Sequence, residues 1–384
     1  MRHSLFFCLT LYCTGLFSTI SEAQSVNSYE QKVRGMLMGS FIGDAAGGPY
    51  EFVWPLSRNS WSTNSEKLTK VMLPQIASAF KMTPYREPLE PYGAWIDDAP
   101  KGSVTDDTRL KLIFINSLGR KKEISTKRFA QHLIDYPSTV KPEYRLLAQQ
   151  WLEQFIPSAL YVTGKKKDPR AKPPQTIWAG VPTNLGQMTF LPIAAIHPNQ
   201  PELSYKESWE VDYFDFGYGR DMHASIIAGL SHAFNDTATW AGIKHVMQET
   251  DPFDMNSIPW AKRRTAYWIK YAEDIADQSD GNVARLFEIL EHEMHVIEWW
   301  DAWIPLVMMI SIGELTDYDP IATIQLAIEF GYDTDSYAQL IGAFMGALHG
   351  PEIFPEDMQK AVTSQLKEQL NEDFEALVSR LMGK

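Results

Sequence analysis

Three short stretches of this 384-residue chain gather oxygen-bearing side chains. Asp333, Asp335 and Ser336 fall within four positions of the segment FGYDTDSYAQL. Thr105-Asp106-Asp107-Thr108 sets four such side chains in a row, and Gly43-Asp44-Ala45-Ala46-Gly47-Gly48-Pro49-Tyr50-Glu51 adds two carboxylates in a Gly-rich setting. Carboxylates and hydroxyls are the ligands of hard divalent cations. Small and apolar residues follow Ser336, so that stretch reads as buried, and buried carboxylates are costly unless something neutralises them. Singly, each stretch has a commoner use, because acidic residues cap helices and make turns. Their joint occurrence lifts them above that use.

In order and spread along the chain, the three stretches resemble the signatures of the ADP-ribosylglycohydrolase family, also called the dinitrogenase-reductase-activating glycohydrolase family. Its pattern is G-D-A-x-G-x-x-x-E early, T-D-D-T in the first third and G-x-D-T-D-[ST] near the end. The resemblance runs from Gln31 to Gly350 and is strongest at those three places. It implies an all-α, compact multi-helix domain around a dinuclear site for two Mg²⁺ or Mn²⁺. Carried over position by position, it assigns Thr105, Asp106 and Asp107 to one cation. Asp333 and Ser336, with Glu51 as a further carboxylate, go to the other, and Asp335 bridges them. Asp44 is implied to orient these ligands. Ser336 stands where Thr is commoner and keeps the hydroxyl. Glu51 is the expected base, with Asp107 as the second catalytic carboxylate. The family often has Asn-Gly and a nearby Arg before an apolar, Pro-containing segment. Here Asn184-Leu185 lacks that Arg, and Thr189 stands close to its place. Asn184, and His223 beside an aromatic stretch, are the candidates for substrate contact.

The implied reaction is hydrolysis of an N- or O-glycosidic bond at ribose, in ADP-ribose conjugates or a related ribosyl compound. Two other classes stay open. Two-metal carboxylate sites also serve phosphoryl transfer, which makes a phosphoesterase the first alternative. A non-catalytic ligand-binding relative is the second.

The elements that must position these residues read as helices. Tyr29, Val33, Met36, Leu37 and Phe41 recur at helical spacing. Gly35, Gly39 and Gly43 form a ridge with period four on the same helix. Each costs about 1 kcal/mol in a helix interior, so the ridge makes sense where another backbone comes close. The Gly342 and Gly346 face is the natural partner, and that contact would bring the Asp44 loop near Asp333. Leu110, Ile113, Phe114 and Leu118 make a helix with the Thr105 cluster at its N-terminus, where the helix dipole favours carboxylates even without metal. Asp319-Pro320 starts a helix that ends at Gly331. Val362, Leu366, Leu370, Phe374, Leu377 and Leu381 read as one long closing helix. Residues 54–98 read as an irregular excursion with a short helix over 76–81, and 145–155 as another helix.

Several other stretches carry weaker signals. Trp209 to Asp221, WEVDYFDFGYGRD, either stacks a purine or sugar face or packs as a loop. The basic loop Gly164 to Lys172 reads as solvated, with phosphate contact the lesser option. His292-Glu293-Met294-His295 has its histidines three apart, so the zinc motif H-E-x-x-H is absent, and its helix is expected to continue through Trp299, Trp300, Trp303 and Leu306. Asn235-Asp236-Thr237 fits the N-glycosylation pattern.

A formal charge of −13 argues against a nucleic-acid partner. Arg2, the apolar Leu5 to Ile20 and Ser21-Glu22-Ala23 form the three parts of a secretory signal. The apolar region is short for a bilayer span, so no lasting membrane anchor is expected. The expected division is a leader over 1–23 and a single domain over 24–384, secreted or periplasmic. Cys8 and Cys13 both lie in that leader. The mature chain would then hold no disulfide, thiolate nucleophile or zinc–sulfur site.

Overall fold

The structure is a computed structural model and describes residues 10–51, 67–84, 99–138, 152–294 and 300–384. Among them there is no strand. The helices run in order as α1 (Thr10–Gly47), α2 (Leu73–Ala79), α3 (Asp106–Ser117), α4 (Thr126–Asp135), α5 (Ile156–Val162), α6 (Leu185–Thr189), α7 (Pro192–Ile196) and α8 (Pro201–Val211). They continue as α9 (Tyr218–Ala233), α10 (Trp240–Glu249), α11 (Thr265–Ser279), α12 (Val283–Met294), α13 (Ile304–Thr316), α14 (Pro320–Phe330), α15 (Thr334–His349), α16 (Glu356–Leu370) and α17 (Phe374–Met382). Among the described residues no helix is long and apolar enough to cross a membrane.

The fold is built on the pairing of α1 with α15. A Cβ added at Gly35 would lie 2.0 Å from the Gly346 carbonyl oxygen. One at Gly39 would lie 2.0 Å from that of Gly342, and one at Gly43 would lie 2.2 Å from that of Ala338. The two backbones are in direct contact, and no side chain larger than hydrogen fits between them. The glycine ridge therefore has the partner its period called for. Close approach of this kind gains dispersion contacts along the whole seam, which offsets the helix-weakening cost of the glycines. Lys32 fastens the seam from the side, donating to the carbonyls of Ala233 (3.2 Å) and Ala347 (3.3 Å).

Around this pair a large apolar core forms. Phe114, Phe129, Phe190 and Phe214 make edge contacts and, between Phe190 and Phe214, a stacked contact in it, with ring centroids 5.2 to 6.2 Å apart. Phe214 and its neighbour Tyr213 come from the aromatic stretch before α9, and both are buried. The middle of that stretch, 212–217, is a packed connection between α8 and α9, which hold its two ends, rather than an open stacking platform.

Local signals set most helix ends. Thr105 caps α3 by accepting from the Asp107 N–H, and Asp319 caps α14 by accepting from that of Ala322. Gly331, at φ +89°, closes α14 as expected. The closing helix is not continuous. Asn371 takes the left-handed conformation and ends α16, and Asp373 caps α17. The apolar period runs through the break because both helices face the same core, so hydrophobic spacing alone concealed it. Trp303 likewise precedes α13 rather than continuing α12. The short helix expected over 76–81 lies at α2, and most of the excursion around it, and of the helix expected over 145–155, falls outside the described residues.

The seam gives a direct test. Gly39→Ala forces a methyl into the Gly342 carbonyl, and overpacking of this severity should cost about 3 kcal/mol or more. Urea unfolding measures it. A midpoint within error of the parent would contradict backbone contact at this position.

Candidate metal centre

Three helix ends converge beside the seam. The first is the end of α1. Asp44 lies in its last turn, within the helix rather than in a loop. The Gly48–Tyr50 turn then delivers Glu51. The second end is the N-terminus of α3, with Thr105 as its cap and Asp106 and Asp107 in its first turn. The third is the N-terminus of α15, where Asp333 is the cap residue and Asp335 lies in the first turn with Ser336. Gly47 lets the first and third ends meet. A Cβ there would lie 2.5 Å from the Thr334 carbonyl oxygen, and the Thr334 hydroxyl donates to the Gly47 carbonyl at 2.8 Å.

Asp44 is fully buried and ties two of the ends together. Its carboxylate accepts from the backbone N–H of Thr105 (3.1 Å) and of Thr108 (3.2 Å). It thus satisfies the free N–H groups at the start of α3 and complements the helix dipole. Carboxylate oxygens of Glu51, Asp333 and Asp335, all buried, lie within 4.8 Å of one another. Asp107 accepts from the Ser336 hydroxyl at 2.8 Å and from the Gln339 amide, both on Oδ2. Asn184 donates to Asp333 Oδ2 at 2.5 Å. The structure thus brings Asp44, Glu51, Thr105, Asp107, Asn184, Asp333, Asp335 and Ser336 into one hydrogen-bonded or close-packed group. Asp106 flanks it and acts on Asp335 and Glu51 through its charge.

The electrostatics are unfavourable as they stand. Burial, followed by the charges of Asp335, Asp106, Asp333 and Asp107, holds the Glu51 carboxyl well above its ordinary range. Burial, then the neighbouring carboxylates, does the same to Asp335 and Asp107. Asp333 is pushed up to about 7 by burial and then by Asp107, and Asp106 to about 7, mainly by burial. Asp335 Oδ1 is buried with no hydrogen-bond partner. An orphaned carboxylate oxygen between two other carboxylates is what a hard cation would satisfy, so the residues fit the implied divalent ions.

Sequence reasoning missed a cation behind these groups. Lys111 is fully buried and donates to the Ser40 hydroxyl at 2.5 Å and to Gln339 Oε1. Gln339 passes the contact on through its amide to Asp107. Burial pushes the Lys111 ammonium down to about 8, against the pull of Asp44 and Asp107. The signal was present in the sequence. Lys111 interrupts an apolar helix face four residues after Asp107, where its side chain must enter the core.

His223 is placed elsewhere. It is buried, its Nδ1 meets Asp212 at 2.9 Å and its Nε2 meets the Thr183 carbonyl at 2.7 Å. Neither ring nitrogen is left to contact a substrate. Asp212, Asp215 and His223 form a second buried group whose ligand atoms could hold a metal. His292 is exposed, and its partner in the failed zinc motif, His295, falls outside the described residues.

The described residues thus form an all-helical fold in which buried carboxylates that could hold a metal ion meet at three helix ends. The chain belongs to the ADP-ribosylglycohydrolase family, whose model matches residues 25–384. No curated protein matches it in sequence. A solved structure described as an "ADP-ribosylglycohydrolase-related protein complex" is similar in fold, with a TM-score of 0.50 and 15% identity, covering 92% of this chain and 98% of that one.

The raised carboxyl pKa values set the pH dependence. In the folded, metal-free protein, Asp106 and Asp333 hold protons up to about 7, whereas unfolded Asp loses them near 4. Stability should therefore fall as pH rises through that window, and a divalent cation should reverse the fall. Thermal scans with and without Mn²⁺ measure this. Asp335→Asn should make the metal-free protein less sensitive to pH and abolish the Mn²⁺ effect. His292→Ala should change neither. Metal-free stability that climbs with pH would contradict the assignment.

Proposed function

We propose that this chain is a divalent-cation-dependent hydrolase that cleaves the N- or O-glycosidic bond at the anomeric carbon of ribose. Its substrate would be an ADP-ribose conjugate or a related ribosyl compound. The observation that carries the reading is the orphaned Asp335 Oδ1 among buried Glu51, Asp333 and Asp107, in a chain of this family. Thr105, Asp106 and Asp107 would hold one Mg²⁺ or Mn²⁺. Asp333 and Ser336, with Glu51, would hold the other, and Asp335 would bridge. When bound, the pair supplies Lewis-acid contacts to vicinal ribose hydroxyls and acidifies water.

The chain's own groups account for the rest. The clustered carboxylates favour the positive charge that builds on the ribose as the bond to the leaving group breaks. Glu51, whose burial raises its basicity, accepts the proton of the attacking water. Asp107 is the second carboxylate within reach of this proton traffic. The new bond joins water oxygen to the anomeric carbon, and the leaving nitrogen or oxygen departs with a proton. Asn184 orients Asp333 through its amide.

Export belongs to the same proposal. Arg2, the apolar Leu5 to Ile20 and Ser21-Glu22-Ala23 support cleavage before Gln24, and the family match beginning at residue 25 is consistent with it. The substrate would then be met outside the cytoplasm.

Product analysis with ADP-ribosyl conjugates and their 2′-deoxy analogues tests the chemistry. Free ADP-ribose, or a free ribosyl product, is expected from the parent conjugate, with little turnover of the deoxy analogue. Asp335→Ala should abolish turnover, and Glu51→Gln should lower turnover more than metal content. Release of inorganic phosphate without a ribosyl product, or equal rates on the deoxy analogue, would replace this reading with a phosphoesterase.

A further inference from the structure

The Asp212, Asp215 and His223 group is not explained by the reaction above, and its hydrogen bonds tie it to one stretch of chain. Nε2 of His223 lies 2.7 Å from the Thr183 carbonyl oxygen, which only accepts, so Nε2 carries a proton. Nδ1 lies 2.9 Å from Asp212 Oδ2 and 3.4 Å from Asp215 Oδ2. The remaining oxygens of both carboxylates are already filled by donors. Asp212 Oδ1 accepts from the N–H of Phe214 (2.9 Å) and of Asp215 (3.1 Å). Asp215 Oδ1 accepts from the N–H and the hydroxyl of Thr183, each at 2.8 Å, and its Oδ2 accepts from the N–H of Gly186 at 3.2 Å. Both carboxylates therefore face the ring at Nδ1. Burial alone would push the imidazole down, but the charges of Asp215 and Asp212 outweigh it and hold it above its ordinary value. Every contact of this group with α6 falls on one turn, Thr183 to Gly186, and the residue in the middle of that turn is Asn184.

We infer that His223, bonded to Asp212 on one side and to the Thr183 carbonyl on the other, is a positioning residue that with Asp212 and Asp215 clamps the Thr183–Gly186 turn and so keeps the Asn184 amide on Asp333. The inference rests on the proposed divalent site only in naming Asp333 as the group positioned. Gly186 supports it independently. A Cβ there would lie 2.1 Å from His223 Nδ1 and 2.4 Å from Asp212 Oδ2, so glycine is what lets His223 and Asp212 press against the turn. Asn184 has no side-chain bond to its own helix, so its direction depends on how that turn is held. The clamp also explains why this part of the chain needs two aspartates three residues apart in an otherwise aromatic loop.

The test begins on the unaltered metal-free protein. Long-range ¹H–¹⁵N spectra of the histidine rings should show a proton on His223 Nε2, as its bond to the Thr183 carbonyl requires, and the amides of Thr183 and Gly186 should exchange slowly with deuterated solvent. A ring without a proton on Nε2 would overturn the inference. In His223→Gln and Gly186→Ala, exchange over 183–186 should accelerate while the α1–α15 seam keeps its protection, which separates a local loss from failure to fold. Mn²⁺ affinity by calorimetry should fall about 10-fold in both variants and in Asn184→Ala, as for other residues that orient a metal ligand. The double variant His223→Gln/Asn184→Ala should be no weaker than either single one. Additive losses, unchanged exchange over 183–186, or a drop in bound metal of one whole ion per chain in His223→Gln would each overturn the clamp, the last in favour of a metal at the histidine. If the parent binds Mn²⁺ but hydrolyses no ribosyl compound, the proposed reaction fails while the exchange and ring spectra still decide the clamp.

Discussion

The backbone contact between α1 and α15 is the constraint from which the acidic site follows. Gly35, Gly39 and Gly43 on one helix and Gly342 and Gly346 on the other leave no space for side chains between them. Two helices that meet in this way have little freedom to slide, because a shift of one residue would put a Cβ into a carbonyl. The ends of the seam are therefore fixed to within a fraction of a turn. At one end lie Asp44, Gly47 and, a turn later, Glu51; opposite them lie Asp333 and Asp335. Residues almost 300 positions apart in the chain are thus held at ligand distance by the packing of groups that carry no charge themselves.

That rigidity has an electrostatic cost. Several carboxylates are held together away from water, and the shifts of Glu51, Asp333 and Asp335 all point towards protonation in the metal-free state. The chain meets part of this cost itself. Helix N-termini point at the cluster from α3 and α15, Asp44 is neutralised by the free N–H groups of α3, and Lys111 supplies a full positive charge from behind. None of these reaches Asp335 Oδ1. The imbalance that remains has the sign and the ligand type of a hard divalent cation, and an arrangement this costly is rarely kept for stability alone.

The second buried charged group shows the opposite solution. Around His223 the partners are built in, and each carboxylate oxygen of Asp212 and Asp215 has a neighbour at hydrogen-bond distance. Both groups are buried to a similar degree. One is complete within the protein and suits a structural task; the other is incomplete and suits a ligand. Asn184 lies between them, carried by a turn that the first group grips and bonded to an aspartate of the second.

The sequence by itself determined the all-helical class, the caps at Thr105 and Asp319, and the glycine seam and its partner, whereas the meeting of the acidic stretches was implied by the family resemblance. Each of the first three is written in local spacing: a period of four for the glycines, adjacent oxygen ligands at helix starts, and Pro or Gly at helix ends. Tertiary structure alone decided what depends on which residues share the interior. It broke the closing helix at Asn371, packed Tyr213 and Phe214 into the core, moved His223 from the expected pocket to a clamp behind Asn184, and set Lys111 beneath Asp107. Local spacing gives the direction a side chain leaves its own helix. Whether a buried histidine meets a ligand or two aspartates is decided by a neighbouring loop, whose approach no local pattern encodes.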